Sequence, residues 1–184
     1  MRFRETEIDG AWVFTPTQHH DDRGAFLESY TARALREATG RDLALAQINV
    51  SVSRRGVLRG IHAAVTPPGQ AKYVQCLAGS ILDVVVDIRP DSPTFGRHVA
   101  VELDERAREA MFVSEGLGHA FCVLSESATV AYATSTPYDP EREFEINALD
   151  PELGLPWPTD YALLLSDKDR AAPTLAQSVR RVSN

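Results

Sequence analysis

The chain has 184 residues, 43% hydrophobic and 24% charged, with a formal net charge of −7. That length suits one domain over residues 1–184 with room for a core, and no stretch is apolar enough to span a membrane. The acidic balance argues against a nucleic-acid surface, which needs a basic patch, but not against a small anion held by a few arginines in a cleft.

At the N-terminus, Glu5, Glu7 and Asp9 stand where a secretory leader needs an apolar run. A helix is predicted over residues 31–39, with Ala34, Leu35 and Ala38 at helical spacing and Gly40 as its stop. Residues 45–53 alternate polar and apolar, as a strand does. Residues 72–77 and 81–88 flank Ala78-Gly79-Ser80, a hairpin signal. Further strands are read over residues 98–103, 110–114, 120–124, 129–134 and 144–148, punctuated by Gly, Pro and Asp. Closely spaced strands with turn signals predict an all-β fold, a jelly-roll barrel with a few short peripheral helices. From about Pro151 the chain is rich in Pro and Leu and is expected to wrap the barrel. Cys76 and Cys122 lie in apolar segments without a close partner, which fits buried thiols of a cytoplasmic protein.

The segment Gly56-Val-Leu-Arg-Gly-Ile-His62 carries the most pointed chemistry. His62 has Arg59 three residues before it and Lys72 ten residues after it, and Lys72 is one of only two lysines in the chain. The pattern fits a base beside an anion pocket; the competing reading is a half-buried histidine at a strand end. In residues 81–88, Asp83 and Asp87 share one strand face, with Leu82, Val84 and Val86 on the other. Asp83 reads as a buried carboxylate and Asp87 as part of a solvated face. His119 follows the glycine-rich Glu115-Gly-Leu-Gly118 and is expected in a tight turn at a barrel mouth. Tyr132, inside an apolar run, reads by itself as a core tyrosine, and Asp169 as part of a charged turn. A metal-binding barrel would offer His-x-His spacing; the chain has none, and the adjacent His19 and His20 would face opposite ways on a strand, so no metal is expected.

Taken together, the motifs resemble the dTDP-4-dehydro-6-deoxyglucose 3,5-epimerase family, the RmlC-like cupins. The matching pieces include Asp22-Arg-Gly24 with Phe26 and Glu28; Gln47, Asn49 and Ser51; Val57 through His62; Gln70-Ala-Lys72; Asp83 through Asp87; Glu115 through Phe121; Tyr132 and Tyr138; and Leu165 through Asp169. They run in order from about Asp22 to Asp169. The resemblance implies that His62 is the general base, paired with Asp169, that Tyr132 is the acid on the other face of the sugar, and that Lys72 supports the enolate oxygen. It implies substrate contacts from Arg23, Phe26, Glu28, Gln47, Asn49, Arg59, His119, Glu143 and Lys168, with Tyr138 stacking on the thymine. It also implies a dTDP-4-keto-6-deoxyhexose substrate, no cofactor, and a homodimer that exchanges N-terminal strands.

The chemistry requires these residue types. Inverting a carbon next to a ketone needs a proton removed from one face and another delivered to the opposite face, so base and acid must flank the ring. The enolate needs a cation or donor at its oxygen. A carboxylate behind the histidine sets its tautomer. The chain also departs from the pattern. Ala63-Ala64 replaces an aromatic-polar pair and is expected to widen the pocket beside the base. His98, Phe112-Val-Ser114 and Gly118-His-Ala120 are variants of the usual residues. Pro67-Pro-Gly-Gln70 and residues 148–154 resemble the subgroup that makes antibiotic deoxysugars, some of which invert C3 or C5 alone. Two other readings stand beside the epimerase: a ketoisomerase moving the carbonyl between C4 and C3, and a sugar-nucleotide binding barrel without catalysis.

Overall fold

In the strand Gln47–Arg54, the alternation seen in the sequence becomes two faces: Ile48, Val50 and Val52 turn outward while Gln47, Asn49 and Ser51 turn into a cleft. The same logic builds the rest of the computed structural model, which describes residues 1–182; the last two positions of the expected unit lie outside the described residues. In chain order the elements are β1 (Arg2–Glu5), β2 (Ala11–Thr15), β3 (Gln18–Asp21), β4 (Gly24–Leu27), α1 (Ala32–Thr39), β5 (Gln47–Arg54), β6 (Leu58–Ala64), β7 (Lys72–Ala78), β8 (Ser80–Asp87), β9 (His98–Asp104), β10 (Ala110–Val113), β11 (Leu117–Val123), β12 (Ser127–Thr134), β13 (Glu143–Glu145), α2 (Asp167–Arg170) and α3 (Leu175–Val182).

Two antiparallel sheets pack face to face as a jelly roll. One has six strands in the order β1-β2-β10-β7-β12-β5, the other five in the order β13-β6-β11-β8-β9. Between them Val13, Val74, Met111 and Val130 meet Ile81, Val85, Leu103 and Val123, all buried. Each fully buried aliphatic side chain of this kind contributes roughly 1.5–3 kcal/mol.

The five-stranded sheet is covered on its other face too. Leu58, Ile61, Val84, Val86 and Cys122 pack against Leu153, Trp157, Leu163 and Leu165 of the wrapping C-terminal segment. That second cover explains why every residue of β11 is buried. On the outer face of the six-stranded sheet, α1 seals one end by setting Leu35 against Phe14, Tyr73 and Phe112. Thr31 caps this helix at its start and Gly40, with φ of 69°, ends it.

Four expectations change. Ala78-Gly79-Ser80 is not a hairpin: β7 and β8 belong to different sheets, and the turn is a corner between them. The local signal for a tight turn is real, but pairing is decided by strands distant in sequence. His119 lies in the middle of β11 rather than in a turn. Asp87 is buried, not solvated; it accepts hydrogen bonds from Arg89, Ser92 and Thr94. These bonds outweigh burial and hold its carboxyl down at about 2. Strands β1 to β4 and β6 add to the expected set; they are short or interrupted by glycine, so periodicity does not mark them.

Candidate active site

The cleft opens between the two sheets, with a free volume near 180 Å³. The five-stranded sheet lends Arg59 and His62 from β6 and His119 and Phe121 from β11; the six-stranded sheet lends Gln47, Asn49 and Ser51 from β5, Lys72 from β7 and Tyr132 from β12. Tyr138 and Glu143 close the rim. The His62 imidazole and the Tyr132 phenol therefore stand on opposite walls of one cleft.

His62 reaches this position through a local irregularity. The β6–β11 ladder pairs His119 with His62 and Phe121 with Arg59, and its register shifts between them. The extra residue lets two side chains three apart, Arg59 and His62, share a face. Gly60 makes this possible at φ of 109°, where an added Cβ would stand 2.5 Å from the carbonyl oxygen of His119.

Behind His62, its Nε2 meets Asp169 Oδ1 at 2.7 Å. Asp169 is brought there by α2, whose cap is Ser166. The Ser166 hydroxyl accepts from the Asp169 N–H at 3.1 Å and donates to Asp169 Oδ2 at 2.8 Å. Burial pushes the Asp169 carboxyl up, but hydrogen bonds from His62, Ser166 and Gly60 N–H outweigh it and keep the group below its ordinary value. An ionised carboxylate only accepts, so the proton facing it is on His62 Nε2, and in the neutral imidazole the lone pair is then on Nδ1. The sequence carried a sign of this element: Ser166 followed three residues later by Asp169 is a capping pattern, though the segment reads as a charged turn when taken alone.

A second histidine–carboxylate pair lies beside the first. His119 Nε2 meets Asp83 Oδ2 at 2.8 Å, and both groups are buried. Lys72 is buried between the walls and donates to the His62 carbonyl at 3.3 Å. Burial lowers its ammonium from 10.5 to about 8, while the charges of Glu143 and Asp83 pull the other way. Tyr132 is raised, chiefly by burial and further by Glu143 against the pull of Arg59, so it stays a neutral donor. Gln47 joins the rim to the wall: its Oε1 accepts from the Tyr138 N–H at 3.0 Å and its Nε2 donates to Asn49 at 2.6 Å.

Of the expected site residues, nine line this cleft and Asp169 backs it. Four do not. Lys168 pairs with Glu145 outside it. Arg23, its side chain 90% exposed, is turned to Asp21, and Phe26 and Glu28 lie exposed on or just after β4. The reason is topological: β3 and β4 pair only with each other and stand off both sheets. Neither Ala63 nor Ala64 lines the cleft beside His62. Ala63 is buried on the opposite face, and Ala64 borders neighbouring hollows. Ser51, Gln70 and Phe121 line the cleft beyond the expected set; the alternation of β5 and the shared spacing of Gln70 and Lys72 were the available signals. Among the described residues, no group of three or more His, Cys, Asp or Glu side chains is arranged to hold a metal ion, and no helix is long and apolar enough to cross a membrane.

Residues 5–177 match the dTDP-4-dehydrorhamnose 3,5-epimerase family. The chain belongs to that family. A dTDP-4-dehydrorhamnose 3,5-epimerase of Streptomyces griseus is 51% identical over 178 residues, 97% of this chain and 88% of that protein. The crystal structure of NovW, a 4-keto-6-deoxy sugar epimerase from the novobiocin gene cluster of Streptomyces spheroides, superposes with a TM-score of 0.95 at 49% identity, over 98% of this chain and 90% of that one. ChmJ, a 3'-monoepimerase from Streptomyces bikiniensis solved with dTDP-quinovose, gives a TM-score of 0.92 at 49% identity, over 96% and 89% of the two chains. The family is one of isomerases, and its antibiotic-cluster members are among this chain's relatives.

Proposed function

We propose that this chain epimerises a dTDP-4-keto-6-deoxyhexose at C3, C5 or both, with His62 taking the proton and Tyr132 supplying one from the other side. The observation that carries this reading is the placement of the imidazole and the phenol on opposing sheets across one cleft. His62 Nδ1 removes the proton beside the ketone; Asp169 holds the ring and stabilises the imidazolium that forms. Lys72 presents its cation to the developing enolate oxygen. Tyr132 then delivers its proton to the opposite face of the carbanion. Arg59 and His119 hold the sugar or diphosphate, and Tyr138, exposed at the rim, stacks on the thymine. No step calls for a redox cofactor.

The active unit in this reading is a homodimer, with the whole chain acting as one folding unit. Phe26 is 71% exposed and Val52 72% exposed, and Val52 continues an apolar row with Ile48 and Val50 on the uncovered face of the edge strand β5. A second copy covering that face would bring its β3–β4 hairpin, with Arg23, Phe26 and Glu28, to this cleft. Because β1 and β2 pair within their own sheet, the hairpin is the part that crosses. The two buried thiols suit a cytoplasmic location.

The test is NMR of the substrate in heavy water, reading deuterium at C3 and C5. His62→Ala should abolish exchange at every carbon the wild type labels, with nucleotide binding nearly unchanged. Tyr132→Phe should lower net inversion by about 10²-fold or more while exchange falls less. Equal loss of both would overturn the two-face scheme, and a wild type that labels neither carbon would overturn the epimerase reading.

A further inference from the structure

Glu143 sits on a boundary. On one side is the cleft with Lys72; on the other is a hollow of about 220 Å³ whose lining includes Ala64, Gly69, Thr136, Asp139 and Arg142. Glu143 and Gln70 border both spaces. The carboxylate therefore stands between Lys72, inward, and a hollow also lined by the exposed Arg142, which donates to the Pro67 carbonyl, outward. A charge free to choose would favour the flexible, hydrated arginine, because keeping a carboxylate at a buried ammonium requires it to give up water.

Gln70 is placed to decide the choice. It is 8% exposed, and its Nε2 donates to Glu143 Oε1 at 3.2 Å and to the carbonyl and hydroxyl oxygens of Thr136, both at 3.3 Å. A carboxylate and a backbone carbonyl only accept, so the amide must face them with its nitrogen. Two residues on, Lys72 leaves the same strand start toward the cleft. We propose that Gln70 is a positioning residue whose side-chain amide latches the Glu143 carboxylate toward Lys72 and away from Arg142, and ties both to the loop that carries Tyr138. Its effect on turnover passes through Glu143 to the lysine cation, so this assignment rests on the role given to Lys72 above.

The groups that face Lys72 are Glu143 on β13, Asp83 on β8, Arg59 and His62 on β6, His119 on β11 and Tyr132 on β12. Of these, Gln70 bonds only Glu143. Loss of the latch lets that one negative charge move off, which favours the neutral amine. Lys72 should then lose its proton at lower pH, and the basic limb of turnover should move down with it.

The chain has two lysines, Lys72 and Lys168, so lysine-labelled protein gives two side-chain NMR signals, each titrated without substrate. Gln70→Met, which keeps length and removes the donor, should lower the Lys72 midpoint by about half a pH unit or more and leave Lys168, paired with Glu145, in place. In a Glu143→Gln background the same substitution should add nothing. If Gln70→Met fails to fold, Gln70→Asn, one methylene too short to reach, should shift Lys72 the same way. A Lys72 midpoint unchanged in the folded variant, or an equal shift with and without the Glu143 carboxylate, overturns the proposal. Because the titration involves no sugar, it stands or falls separately from the epimerase reading.

Discussion

Lys72 shows how the site works against the fold. Burying its ammonium holds it at about 8, so the cation is present below that pH and is lost as pH rises through it. Turnover that needs the cation should therefore fall above about pH 8, well before a free lysine would titrate, and a pH–rate profile checks this. The stability consequence has the opposite sign. A cation whose folded value lies below its unfolded one of 10.5 is a burden that is fully present below about 8 and relieved as pH rises from there to 10.5. Lys72→Met should thus be inactive yet more stable at pH 7, by at most about 3 kcal/mol, a figure already net of the attraction to Glu143 and Asp83. The gain should shrink as pH rises past 8. Urea unfolding at pH 7 and 10 tests it; a variant less stable than wild type at pH 7 would contradict the account.

At the level of elements, the ladder between β6 and β11 decides where the His62 imidazole stands. The register shift brings Arg59 and His62 to one face and seats His62 opposite His119. While His119 meets Asp83 across the regular β11–β8 ladder, the His62–Asp169 pair depends on this irregularity. Gly60 holds it. An alanine there would meet the His119 carbonyl oxygen at 2.5 Å and the Ala120 Cα at 2.8 Å, at a φ of 109° that disfavours any side chain. Gly60→Ala should lose about 2 kcal/mol or more of stability. The fraction that folds should be inactive, because His62 and Asp169 no longer meet. An unfolding midpoint equal to wild type would show that the strand tolerates another path. The wrap formed by the C-terminal segment serves the same end: it covers β6 and carries Asp169 to the back of His62.

For the molecule as a whole, the open questions are the bare face of β5 and the isolated hairpin β3–β4, and one arrangement answers both. If the hairpin completes a neighbour's cleft, subunits damaged at different places should repair each other. Equal mixtures of His62→Ala and Arg23→Ala chains, refolded together, should recover about a quarter of wild-type activity, since half the dimers are mixed and each has one intact site. Activity equal to the average of the two parents would confine Arg23 to its own subunit. Val52→Asp, placing charge on the apolar row, should shift sedimentation toward the monomer.

Much of this was legible in the residues alone. Period-two alternation in residues 45–53 said which side chains share a face, Gly40 and Thr31 marked a helix, and the ordered run from Asp22 to Asp169 named the family. Alternation cannot say what lies over a face, however. Whether Asp87 meets water or a nest of donors, whether His119 ends a turn or fills a strand, and whether the turn at Gly79 joins two strands of one sheet or bridges two sheets all depend on contacts between segments far apart in the chain. Those contacts form only when the sheets close on each other, and the same closure sets an imidazole across from a phenol.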